Sequence, residues 1–131
     1  MAALPRYERP ATVPRVITLT TTRQLKASES GSKVILNSAT AFTTTLPVPA
    51  AGLAFEFFVK TAASATGHTV AVTTGPAMYG KVSPTGAVAT ATASKGRTNT
   101  QATSTVGDGL KVWSDGTDWF SEPVGIWATQ A

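Results

Sequence analysis

The sequence predicts an all-β fold: a small antiparallel β-sandwich or jelly-roll-like barrel entered by an extended N-terminal arm. Three observations carry that expectation. Thr, Ala, Ser and Gly are abundant while charged residues make up only 14%, and Thr favours strands as Gly favours turns. Apolar residues recur with a period of two, as in Leu53-Ala-Phe-Glu-Phe-Phe-Val-Lys60, where Leu53, Phe55, Phe57 and Val59 share one face. No helical period of useful length is present, and the strong helix formers Glu, Lys, Gln and Met are scarce. At 131 residues the chain can bury the core of one domain, expected over residues 27–131, with residues 1–26 as the arm.

Pro5, Pro10 and Pro14 define the arm, because their spacing suits neither a helix nor a central strand. Each also biases the residue before it towards extended geometry. Leu4, Tyr7 and Val13 are its apolar anchors. Residues 1–26 carry Arg6, Arg9, Arg15, Arg23 and Lys26 against Glu8, whereas residues 27–131 carry six basic and six acidic side chains. The whole net charge of +4 therefore resides in the arm. Such an arm can bind nucleic acid or dock on an acidic protein surface.

Val16 to Thr22 alternates as a first strand, and a polar connector from Arg23 to Ser32 follows. Lys33 to Asn37 reads as a short buried strand, and Phe42 to Pro47 as the next, ended by Pro47 and Pro49. In the strand from Leu53 to Lys60, Phe58 falls on the charged face with Glu56 and Lys60. A second layer, an edge contact or a subunit interface would each explain it. After a turn over residues 61–67, His68 to Thr74 forms a strand with Val70 and Val72 inward. Residues 75–100 are small and weakly patterned, and their side chains bury too little area to hold a core. An exposed hairpin or long loop is expected there. Asp108 to Phe120 is a hairpin, with Leu110 and Val112 on one face and Lys111 and Trp113 on the other. Its turn is Ser114-Asp115-Gly116-Thr117, because Asp-Gly supplies the positive φ of a tight turn. Val124 to Thr129 supplies a final strand, and no internal repeat signals a solenoid or propeller.

The chain offers little for chemistry. It has no cysteine, which removes disulfides, thiolate metal sites and Cys nucleophiles. His68 is the only histidine, so a His cluster for metal is excluded and a catalytic triad would rest on that residue alone; it reads as exposed or structurally satisfied. Asp108, Asp115, Asp118 and Glu122 cluster in sequence and could serve calcium or glycoside hydrolysis. Asp108 and Asp115, however, adjoin glycines at positions where turns favour Asp. Gly80-Lys81 lacks the spacing of a phosphate loop, and Arg97 reads as a loop residue. No enzyme activity, cofactor or metal is expected. Trp113, Trp119, Phe120 and Trp127 could form core, sugar-stacking platform or oligomer contact. With no cleavable leader and no apolar stretch long enough for a bilayer, the chain reads as unprocessed, soluble and made in the cytoplasm.

Taken in order, Lys33-Val-Ile-Leu-Asn37, Phe42-Thr-Thr-Thr-Leu-Pro47, Gly52-Leu-Ala-Phe-Glu-Phe57, Thr66-Gly-His-Thr-Val-Ala-Val72 and Gly107 to Trp119 resemble the β-domains of tailed-bacteriophage virion proteins. The Ser-Asp-Gly-Thr-Asp-Trp turn is the most specific part. The resemblance implies a β-sandwich or jelly roll, commonly trimeric, with no catalytic residues to carry over. A short chain without a repetitive shaft is most similar to a capsid decoration, or cement, protein. That implies a virion location on the capsid surface, the major capsid protein as partner, and a homotrimer that stabilises the shell. Neither nucleic acid nor membrane is an expected partner. The interface residues expected on this reading are Leu4, Arg6, Tyr7, Arg9, Val13 and Arg15 of the arm, with Phe58 and Trp113. A head or tail fibre, or a receptor- or carbohydrate-binding module that holds a host surface glycan, is the alternative.

Overall fold

A computed structural model describes residues 14–63, 67–84, 94–99 and 106–130. The expected arm contacts Leu4, Arg6, Tyr7, Arg9 and Val13 lie outside the described residues. Apart from one short 3₁₀ turn, the regular secondary structure of the described residues is all strand. Its order is β1 (Val16–Leu19), β2 (Arg23–Gln24), a 3₁₀ turn (Ala27–Glu29), β3 (Lys33–Asn37), β4 (Thr43–Thr45), β5 (Ala54–Thr61) and β6 (Thr69–Ala71). Then come β7 (Met78–Tyr79), β8 (Gly96–Asn99), β9 (Gly109–Ser114), β10 (Trp119–Val124) and β11 (Trp127–Thr129).

The strands form a six-stranded sheet in the order β1-β3-β5-β9-β10-β7 and a five-stranded sheet in the order β11-β8-β6-β4-β2. The expectation of antiparallel sheets is corrected here, because both are mixed. From β1 to β6 the chain alternates between the sheets, so each strand returns beside the one laid down two elements earlier. β1, β3 and β5 are consequently parallel neighbours in one sheet, and β2, β4 and β6 are parallel in the other. Antiparallel pairing begins with β5–β9 and β6–β8. The β9–β10 hairpin is the one the sequence predicts, with Trp119 opposite Ser114 and Phe120 opposite Trp113. β10 accommodates Pro123 because β7 pairs only with Trp119 and Phe120, so beyond them no ladder on that side is broken.

Residues 16–26, grouped with the arm on charge, are built into both sheets through β1 and β2. Leu19 and Leu25 enter a core cluster that takes Val34, Leu36, Phe55, Phe57, Val59, Leu110 and Val112 from the larger sheet. Phe42, Leu46, Val70 and Met78 belong to it as well, as do Trp119 and Trp127, both fully buried. The alternation in β5 falls as the sequence indicates, with Phe55, Phe57 and Val59 inward and Glu56, Phe58 and Lys60 outward.

Two sequence expectations fail between β6 and β9. Met78 and β8 are buried where an exposed loop is expected, and Arg97 sits within β8 with no exposed surface. Weak patterning hid β8, since Gly96, Arg97, Thr98 and Asn99 present no apolar period. Arg97 is held by the Ser94 hydroxyl and the carbonyls of Gly96, Met78 and Gly80; burial lowers its pKa.

Candidate functional site

The outward side of the six-stranded sheet concentrates the exposed apolar residues. Among the described residues, seven large hydrophobics are exposed, and Val16, Phe58, Tyr79, Trp113 and Val124 all belong to this sheet's outer face. Phe58 and Trp113, both expected as contact residues, are 48% and 43% exposed. The two lie on neighbouring strands, four residues apart in register, because Ala54 opposes Trp113 and Phe58 opposes Gly109. That separation is about 13 Å along the strand.

Strand register arranges the face in three rows. The first runs Ala54, Trp113, Phe120 and Tyr79 across β5, β9, β10 and β7. Its rings stack on one another, Trp113 on Phe120 at 4.6 Å and Phe120 on Tyr79 at 5.8 Å between centroids, at 22° and 25°. Stacked rings across strands stand upright and present edges to solvent. The second row alternates in charge: Lys33, Glu56, Lys111 and Glu122. Lys33 Nζ lies 3.2 Å from Glu56, and the Trp113 indole donates to Glu122 at 3.1 Å, which fixes the ring's orientation. The third row is Ile35, Phe58, Gly109 and Val124.

Two shallow hollows lie where small residues interrupt the rows. One, of about 250 Å³, has Ala54 and Gly31 beside Trp113, with Pro14 at its rim. The other, of about 390 Å³, has Gly109 between Phe58 and Val124. The charged row borders both. Arg15, next along the chain from Pro14, is exposed, and its carbonyl accepts the Lys33 amide at 2.8 Å, which ties the start of the described chain to this sheet.

The remaining candidate groups are structural. His68 is fully buried against Phe42, with Nε2 at 3.0 Å from the Thr61 carbonyl. Asp115 accepts the amides of Thr117 and Asp118 at 2.9 and 3.0 Å, an Asx turn that closes the hairpin. The Asp118 amide, then the Thr117 amide, holds its carboxyl below the usual value. Asp118 accepts the Ala77 amide at 2.9 Å. Asp108 is more than the turn residue the sequence indicates: it is buried and accepts from Asn99 Nδ2 at 2.9 Å. Asn99 also donates to the Ile126 carbonyl at 2.8 Å, so β8 is pinned to the start of β9. Among the described residues no group of three or more His, Cys, Asp or Glu could hold a metal, and no helix is long and apolar enough to cross a membrane.

Glu29 is the other strongly tied carboxylate. Burial opposes its ionisation, but the Lys26 amide and the Arg23 guanidinium, with Arg15 nearby, outweigh that and lower its pKa. The distances are 2.9 Å to Lys26 N and 2.5 Å to Arg23.

Comparison with protein-family models, curated proteins and solved structures finds no match. Function therefore rests on the face itself. The sequence pointed to Phe58 and Trp113 but missed Tyr79, Val124 and the two hollows. β7 is two residues long, too short for alternation to reveal that Tyr79 extends the aromatic row.

Proposed function

We propose that this protein is a structural component of a virus particle, a capsid decoration protein that binds the assembled shell and stabilises it. The observation that supports the reading is the outer face of the six-stranded sheet, where Phe58, Trp113, Tyr79 and Val124 are exposed together. Aromatic anchors of this kind suit a protein interface. The virion setting comes from the motif order and the Ser-Asp-Gly-Thr-Asp-Trp turn. On this reading the two-sheet body is a β-sandwich whose partner is the major capsid protein. Leu4, Arg6, Tyr7, Arg9, Val13 and Arg15 contact that partner across the joints between shell subunits. Stabilisation follows from mass action, because a ligand that binds only the assembled shell shifts the equilibrium towards it.

The test is to strip particles of this protein, add back either the full chain or a chain lacking residues 1–15, and measure occupancy and survival on heating. The full chain should restore heat resistance, and the truncated chain should lose occupancy at least tenfold. Full occupancy by the truncated chain would remove the arm from the interface. Failure of the full chain to bind would remove the capsid reading.

A further inference from the structure

We propose that the outer face of the six-stranded sheet binds a second copy of this chain, face to face, about a twofold axis parallel to the strands and running between β5 and β9. This goes beyond capsid binding: the exposed face that marks an assembly protein is assigned to a second copy, which covers Trp113 and Phe58 and leaves contact with the shell to residues 1–15.

An isologous contact requires a surface that complements itself under one rotation. Rotation about this axis exchanges β5 with β9, β3 with β10 and β1 with β7, and keeps each row opposite itself. The four charges of the second row then each meet an opposite charge. Lys33 faces the partner's Glu122 and Glu56 faces the partner's Lys111, with the same two pairs repeated in reverse. The other two rows complement each other in shape. Phe58 faces the partner's Gly109, so a phenyl ring enters the hollow of about 390 Å³, while Ile35 faces the partner's Val124. Trp113 faces the partner's Ala54 at the hollow of about 250 Å³.

The chain beyond the strand ends extends this match. The Gly31 amide donates to the Ala54 carbonyl at 2.7 Å, which sets Gly31 beside Ala54. Gly31 has open space where a Cβ would stand. Phe120 therefore faces the partner's Gly31, and Tyr79 the partner's Pro14. One half of the first row is small and the other aromatic, so each half receives the other.

Size agrees with this. Six strands at about 4.8 Å spacing, over roughly six residues of strand length, give a footprint of ~500–600 Å² in plan. Its corrugation raises the buried area towards the ~800 Å² per partner of standard interfaces. The symmetry is twofold, in contrast to the trimer that the family resemblance implies.

Sedimentation equilibrium of the full chain between about 1 and 200 μM tests the proposal. The expected mass is twice the 13.5 kDa of one chain. Two charge reversals, Glu56→Lys and Lys111→Glu, should each raise the dimer dissociation constant at least tenfold, because each sets like charges opposite one another twice. Mixing the two variants should restore the pair, since every charge in the mixed row then meets its opposite. Simple damage to the face would not be repaired by mixing. A single-chain mass throughout, a threefold mass, or a mixture no tighter than its components would overturn the proposal. Because the measurement needs no capsid, its failure leaves the decoration reading to its own test.

Discussion

Replacing Asn99 with Asp provides a sensitive test of how the two sheets are joined. The substitution keeps the shape but turns a donor into an acceptor. Asn99 Nδ2 bridges Asp108 Oδ2 and the Ile126 carbonyl, and Asn99 has no exposed surface. In the variant a second carboxyl stands about 3 Å from Asp108, where two ionised groups repel strongly. The new acid would instead stay protonated in the folded state and donate its single proton to Asp108, which leaves the Ile126 carbonyl without its donor at every pH and adds a constant loss to the pH-dependent one. Its folded pKa is thus raised above the ordinary value of about 3.9, so its contribution is complete below that pH and lost as pH rises. Relative to the parent, the variant should lose about 1.4 kcal/mol for each pH unit above ~4, approaching ~4 kcal/mol at pH 7. Asn99→Ala, which removes both hydrogen bonds at any pH, should lose about 2–4 kcal/mol. Urea unfolding at pH 4.5, 6 and 7.5 reads this directly, because the buried Trp119 and Trp127 report the core. A difference between parent and Asn99→Asp that stays flat with pH would refute the account of the Asn99–Asp108 contact.

Three further expectations rest on other parts of the fold. Glu29 has a lowered pKa, so its stabilisation is present above the ordinary carboxylate value of about 4.5 and lost as pH falls; the gap in urea midpoint between the parent and Glu29→Gln should close on acidification. Gly67→Ala should destabilise by about 2–3 kcal/mol or more, since a Cβ there would fall 1.2 Å from the Asn99 carbonyl oxygen, and thermal unfolding measures the shift. In acrylamide quenching at low concentration, Trp113→Phe should remove most of the accessible fluorescence, because Trp119 and Trp127 are fully buried; undiminished quenching would place an exposed indole elsewhere.

What the sequence made legible was whatever lies close along the chain. The period-two pattern of residues 53–60 set the inward and outward sides of β5 correctly, including exposed Phe58. Asp115-Gly116 marked the hairpin, because Asx-turn chemistry is local. The pairing of residues far apart in sequence was not legible. Row complementarity depends on Glu56 meeting Lys111 and Phe58 meeting Gly109, and no local signal announces a register between strands some fifty residues apart. β8 escaped for a different reason: its polar side chains are buried with specific hydrogen bonds, Arg97 donating to Ser94 and Asn99 to Asp108, and hydrophobic periodicity does not register burial of that kind.

The parallel first half shows how an architecture can lack a repeat in sequence yet have one in space. β1, β3 and β5 begin at residues 16, 33 and 54, and β2, β4 and β6 at 23, 43 and 69. Each pass around the two sheets is thus a different length, so self-similarity at a fixed period, the usual sign of a solenoid, cannot arise. Hairpin signals are absent from this half for the same reason, since every strand is followed by one in the other sheet. A parallel pair needs a crossover, and here the opposite sheet's strand is that crossover. This winding also accounts for the outer face. It places Lys33 and Ile35 beside Glu56 and Phe58, and only the antiparallel return through β9 and β10 adds Lys111, Trp113, Glu122 and Val124 in complementary order. The two halves of the face therefore come from two different folding patterns. Their junction between β5 and β9 coincides with the axis about which the face complements itself.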